Sequence, residues 1–225
     1  MIKYILALLM FFNLSFTIAN ETEINFSSRD LHKSFVEAAL TGNYERMTVL
    51  LDQGADPSGV AAGMQSGELT NRLISRRDKK ALDILWQHKV ALTDTLPHAV
   101  EVGDTSVIKY LIRHSASVMA TNNDLMTGLI LASKLGRIDI VETIILEDVI
   151  SCIDMTDKYK RNALTWAIVG GGKRPDKYRL QIVRALLRKG IRTDGHDREG
   201  KTALDYASEG KYRHWTIARL LRKNI

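Results

Sequence analysis

Apolar pairs punctuate this chain at long intervals: Leu50-Leu51, Leu85-Trp86, Leu111-Ile112, Ile144-Ile145, Leu186-Leu187 and Leu220-Leu221. Successive pairs lie 35, 26, 33, 42 and 34 residues apart. In GRIDIVETII, residues 136–145, the apolar positions 138, 140, 141, 144 and 145 fall on one stripe at i, i+3, i+4 and i+7 spacing. That period predicts an amphipathic helix ending in the apolar pair. A shorter helix is expected ahead of it, marked by a small residue at Ala38, Ala99, Ala132, Ala167 and Ala207. Alanine there lets the second helix approach closely. Thr127 and Thr202 stand where a helix N-cap is needed, and Gly54 and Gly190 where a left-handed C-terminal cap is expected. One helix pair cannot bury its stripe alone, so the pairs must stack into a continuous core. A period of roughly 33 residues is that of a solenoid.

The phrases that repeat are TGLILA at 127–132, NALTWA at 162–167 after DKYK at 157–160, and TALDYA at 202–207 after DREG at 197–200. Residues 38–57, AALTGNYERMTVLLDQGADP, repeat the second half of the unit. These residues resemble the ankyrin repeat. The resemblance implies an all-α solenoid of about six helix-turn-helix repeats with short hairpin loops. The copies fall at about 31–57, 66–91, 94–118, 122–150, 156–193 and 197–225. Copies one, four, five and six carry the pattern strongly. Copy three keeps Gly103, Val107 and Ser115-Ala116 but lacks its leading turn, and copy two fits by register alone. Both are expected to have shortened leading turns and no projecting finger, which leaves a notch. In copy five, seven residues are inserted between the two helices, and Gly170-Gly171-Gly172 with Pro175 predicts a longer loop.

Residues 1–19 stand outside the repeats. Lys3 precedes an apolar run from Tyr4 to Leu14, interrupted at Asn13, and Thr17-Ile18-Ala19 offers small residues at the cleavage positions. This is the pattern of a secretory signal peptide. Left uncleaved, the same run would act as a membrane anchor, although it is shorter than the ~20 residues a spanning helix needs. No Cys follows it, so a lipoprotein anchor is not expected. Residues 20–30 read as a flexible lead, and 31–225 as the repeat domain. Cys152 is the one cysteine, which forbids an internal disulfide, and its place at a repeat junction reads as a small buried residue. Export without disulfides points to a periplasmic or secreted protein.

No catalytic constellation emerges. The six His, at 32, 88, 98, 114, 196 and 214, include no i, i+4 pair and none has metal-site spacing with Cys152. Gly170 to Lys173 lacks the first Gly of a phosphate loop and carries Arg174 where Ser or Thr would bind magnesium. The chain is therefore read as non-catalytic, with no cofactor and no metal.

Charge is unevenly distributed. Residues 1–150 carry 14 Lys and Arg against 18 Asp and Glu, and residues 151–225 carry 18 against 8, a net +10. Such a field steers an acidic partner, or it solvates a terminal capping repeat. The cations are not interleaved with aromatics as a single-strand nucleic-acid surface requires. The expected partner is another protein with an acidic patch, not nucleic acid. No membrane anchor remains after signal cleavage, and the chain alone is expected to be a monomer.

The resemblance also implies where a partner binds: on hairpin tips and the exposed side of the first helices. Those positions are Asn123, Asp124, Met126 and Lys134 in copy four. They are Lys158, Tyr159, Arg161 and Trp166 in copy five, and Arg198, Glu199 and Lys201 in copy six. Tyr159 among Lys158, Lys160 and Arg161 has the composition of an interface hot spot. Trp86 and Trp215, on second helices, read as core or rim packing. The function expected is an exported inhibitor or immunity protein that occludes a periplasmic enzyme or toxin. The alternative is a scaffold that supports an enzyme, for example in stress defence.

Overall fold

A computed structural model of the chain describes residues 28–114, 116–147, 152–170, 176–209 and 214–224. Residues 1–27, which hold the expected signal peptide and most of the lead, lie outside these, as does most of the loop expected at 170–175. Among the described residues, twelve α-helices form six pairs. The pairs are α1 (Ser28–Thr41) with α2 (Tyr44–Asp52), α3 (Glu68–Ser75) with α4 (Lys79–Gln87), and α5 (Leu96–Val102) with α6 (Thr105–Arg113). The remaining pairs are α7 (Gly128–Lys134) with α8 (Ile138–Leu146), α9 (Ala163–Val169) with α10 (Asp176–Arg188), and α11 (Ala203–Ser208) with α12 (Trp215–Leu221). No strand occurs among the described residues, only an isolated bridge between Thr121 and Thr127. The described architecture is the ankyrin-type helical solenoid.

Each first helix packs on the first helices before and after it, from α1 to α11, and second helices form an outer row in which α8, α10 and α12 lie side by side. The alanines read from the sequence are the contact points of the inner row: Ala38, Ala99, Ala132, Ala167 and Ala207 are all buried. Second helices start on side-chain caps at Asn43, Asp78 and Asp104, whose oxygens accept from amides of the first turn. First helices in the last three copies start on Thr127, Asn162 and Thr202, while Gly67 and Thr95 ahead of α3 and α5 provide no side-chain cap. Gly54 and Gly190 adopt the expected left-handed conformation, and Lys89 takes the same conformation at φ 62° after α4.

Several expectations need correction. Helix α1 begins at Ser28, so Ser28–Asp30 belong to the first repeat and not to the lead. Of the two readings given for Trp86 and Trp215, the core one is removed: they are 44% and 63% exposed, as rim residues are. Copy three does have a short leading segment, but copy two does not. Residues 53–67 are as long as the segments that make fingers elsewhere, and they fold differently. The Asp56 carboxylate accepts from the amides of Ser58 and Ala61, and a 3-10 turn follows at Val60–Ala62. The insertion in copy five is only partly loop. Helix α10 has 13 residues where α8 has nine, so about one turn of the extra chain extends the helix. Gly170 is required for packing: a Cβ there would sit 2.5 Å from the carbonyl oxygens of Lys134 and Trp166.

Candidate protein-binding surface

Three turns, one ahead of each of the last three first helices, share one construction. Each spans five residues: Asn122–Met126, Asp157–Arg161 and Asp197–Lys201. The first residue's N–H donates to the fifth residue's carbonyl, at 3.1, 3.0 and 3.0 Å. Its side-chain Oδ1 accepts from the third and fifth amides: Asp124 and Met126 on Asn122, Tyr159 and Arg161 on Asp157, Glu199 and Lys201 on Asp197. An Asx side chain in this role substitutes for a backbone turn. The fourth residue is left-handed in every case: Leu125 at φ 59°, Lys160 at 61° and Gly200 at 76°. Non-glycine residues reach this region rarely, and here the turn forces their side chains outward.

The three fingers are also bonded to one another. The Lys158 amide donates to Asp124 O at 3.0 Å, and the Arg198 amide donates to Tyr159 O at 3.0 Å. The fingers therefore form one continuous ledge, fixed to the helices below by the second carboxylate oxygen. Asp157 Oδ2 accepts from Trp166 Nε1 at 2.9 Å. Asp197 Oδ2 accepts from Tyr206 Oη at 2.7 Å and from Arg161 Nε at 2.8 Å. Trp166 and Tyr206 occupy the same position in their copies. Copy four has Asn122, with no second carboxylate oxygen, and the matching residue is the buried, apolar Leu131.

This arrangement sorts the sequence candidates. Met126 is a correction: at 1% exposed it belongs to the core, because the fifth finger residue turns inward toward the helix. Arg161 is also largely structural. Its side chain is 17% exposed, pairs with Asp197 and Glu199, and bridges fingers five and six. Lys158 is tied to Asp124 at 2.6 Å. Trp166 is half-buried, with Lys134 Nζ 4.7 Å above its ring. The surface positions are Asn123, Tyr159, Arg198 and Glu199, all exposed. Lys134 and Lys201 are half-buried, and neither has a carboxylate of the described residues within ion-pair distance. Tyr159 stands at the centre, 42% exposed, with Lys158 Nζ 5.2 Å and the Arg161 guanidinium 5.7 Å from its ring centroid. One outward residue was missed, Leu125, 53% exposed; Lys160, named beside Tyr159 from the sequence, is exposed as well. The signal for Leu125 was a bulky residue where copy six has Gly200.

The electrostatics of the ledge are dominated by Asp197. Burial pushes its pKa up, but hydrogen bonds from Tyr206, Arg161 and the two finger amides outweigh this and hold it below the usual carboxylate range. Burial, with the Asp197 hydrogen bond second, pushes the Tyr206 hydroxyl up to about 12. Elsewhere, burial pushes the Cys152 thiol up to about 11, which leaves it protonated and packed, not poised as a nucleophile. Among the described residues no group of three or more His, Cys, Asp or Glu is placed to hold a metal ion. No described helix is long and apolar enough to cross a membrane.

Copies two and three present no finger among the described residues. The notch they leave is a hollow of about 500 Å³ floored by Asn71, Arg72 and Ser75 of α3, with His98 of α5 as a wall.

Residues 96–194 match the family model for ankyrin repeats in three copies. Among solved structures, the crystal structure of an ankyrin repeat protein superposes with a TM-score of 0.67 at 22% identity. The match covers 85% of this chain and 97% of that one. No curated protein matches the sequence.

Proposed function

We propose that this chain, an ankyrin-repeat protein, is an exported, non-catalytic binder that occludes a periplasmic enzyme or toxin, as an inhibitor or immunity protein. Ankyrin repeats are modules of protein–protein interaction. The observation that carries the finer reading is the bonded ledge of fingers four to six, with Tyr159 exposed at its centre. A rigid aromatic held between cations gives up little conformational freedom on binding, which suits a tight, stoichiometric complex. Lys160 and Arg198 flank it without carboxylate partners among the described residues and fit a partner surface that carries acidic groups. Export is supported by the apolar run at 4–14 and the small residues at 17–19.

A photo-crosslinking residue placed at Tyr159 in living cells tests the site, and Val49, exposed on α2, serves as control. The expected result is one discrete adduct from Tyr159, none from Val49, and loss of the partner's activity on titration with one equivalent of the chain. Adducts of equal yield from both positions would remove the ledge as the binding site. A discrete adduct whose partner keeps full activity when saturated would favour the scaffold role.

A further inference from the structure

The cations of residues 151–225 are divided between two faces. The finger ledge carries Lys158, Lys160, Arg161, Arg198 and Lys201, of which Lys158 and Arg161 are paired with carboxylates. A second, denser group lies on the back. Helix α10 exposes Arg184 and Arg188, followed by Lys189; α12 exposes Arg219, followed by Arg222 and Lys223. The two helices pack side by side. Residues 177–193 and 215–224 contain no Asp or Glu. None of the six cations pairs with a carboxylate among the described residues. Two large apolar side chains share this face. Trp215, 63% exposed, heads the stripe that runs through Arg219, Arg222 and Lys223 at i, i+4, i+7 and i+8. Leu146, 79% exposed, closes a hollow of about 420 Å³ beside Arg188 and Lys189, where Glu142 of α8 is the one acidic group among the described lining residues.

We propose that this back face of copies five and six docks on an anionic phospholipid bilayer, with the cations on the phosphates and Trp215 and Leu146 in the headgroup layer. An acidic protein surface would satisfy the cations, but it gives no reason for an exposed Trp and Leu on the same face. A headgroup layer takes both: amphipathic rings settle at that depth, and each Lys or Arg near an anionic surface strengthens binding roughly fivefold. The ledge is bonded to first helices, through Trp166 and Tyr206, whereas the docking face is made of second helices, so a docked molecule keeps its ledge available to a protein partner.

The test is co-sedimentation of the full chain with vesicles of phosphatidylcholine alone and with about 30% phosphatidylglycerol, an anionic surface of the kind that attracts basic segments. Neutral vesicles measure the binding that does not depend on lipid charge, from residues 1–27 and from Trp215 and Leu146 alike. The parent is expected to bind anionic vesicles at least about tenfold better than neutral ones, with the difference lost in about 0.5 M salt. The variant Arg184→Glu/Arg188→Glu/Arg219→Glu should lose that difference. The milder Arg184→Gln/Arg219→Gln should lose about tenfold or more, which keeps the test open if charge reversal disturbs folding. A charge-matched variant elsewhere, Lys33→Glu/Arg46→Glu/Lys79→Glu, should keep at least half of the binding. Equal loss in the charge-matched variant would show attraction by net charge alone and overturn the proposal. So would a parent that binds both vesicles equally, or one that ignores vesicles but binds poly-glutamate through Arg184, Arg188 and Arg219.

Discussion

Asp197→Ala should cost about 3 kcal/mol and should loosen the end of the solenoid without touching its start. The Asp197 side chain is 1% exposed and accepts four hydrogen bonds: Arg161 Nε at 2.8 Å, Tyr206 Oη at 2.7 Å, and the Glu199 and Lys201 amides at 2.9 and 3.1 Å. Removing one partner of a buried ion pair costs about 3–5 kcal/mol, because the other charge is left desolvated. Arg161 keeps Glu199, whose side chain is 64% exposed, and is itself 17% exposed, so the low end of that range applies. The amides of finger six lose their common acceptor as well, and Arg198 N–H then loses its fixed position on Tyr159 O. Contacts in a solenoid run only between neighbours, so the damage should stay in copies five and six. Urea denaturation measures the total, and hydrogen exchange locates it: the Arg198, Glu199 and Lys201 amides should lose protection while α1 and α2 keep theirs. A loss below about 1 kcal/mol, or equal loss of protection in copy one, would refute the clasp. The pH dependence adds a check. The folded pKa of Asp197 lies below its unfolded value near 4, so its contribution is present above about pH 4 and is lost as pH falls through the folded pKa. The gap between parent and Asp197→Ala should therefore narrow in acid.

Four further outcomes are expected. Ser133→Ala should stabilise the chain by up to about 1 kcal/mol in chemical denaturation, because the Ser133 hydroxyl is buried without a hydrogen-bond partner. Gly170→Ala should destabilise by about 2 kcal/mol, because its Cβ would meet two carbonyl oxygens, while Gly195→Ala, with nothing within 4 Å, should be neutral in the same assay. Ala132→Leu, at a fully buried inner-row contact, should cost about 1–3 kcal/mol, and Lys134→Leu, at the helix end, under about 1 kcal/mol. Mass spectrometry of exported protein should find Asn20 at the N-terminus; intact Met1 on soluble periplasmic protein would contradict cleavage.

The helix pairs were legible because their signal is redundant: an apolar stripe and a cap per copy, and a small alanine in every copy but the second. The positions of Thr127, Thr202, Gly54 and Gly190 followed from backbone needs that few residues can meet. Finger chemistry was legible in outline, since DKYK and DREG mark the turns. Which finger residues face outward was not legible, because it depends on long-range pairing. Arg161 looks like a free cation in the sequence, yet Asp197, 36 residues away, holds it inside. Met126 sits among variable family positions, yet the fifth finger residue turns into the core in this copy. The coupling of Asp157 with Trp166 and of Asp197 with Tyr206, against Asn122 with Leu131, was present in the sequence. It takes meaning only once the second carboxylate oxygen is seen to need a donor. Charge was placed too coarsely for a related reason: a sum over residues 151–225 cannot tell the paired Lys158 and Arg161 of the ledge from the cations of the back.

The most direct test of the central claim is the dissociation rate of the partner trapped at Tyr159, measured for the parent and for Tyr159→Ala. A buried aromatic anchor worth about 2 kcal/mol predicts dissociation about 30-fold faster, with the association rate nearly unchanged. Arg198→Glu should instead slow association and weaken its dependence on salt. If Tyr159→Ala leaves the complex as long-lived as the parent, the ledge is not the binding site, and the notch over α3 becomes the surface that holds the partner.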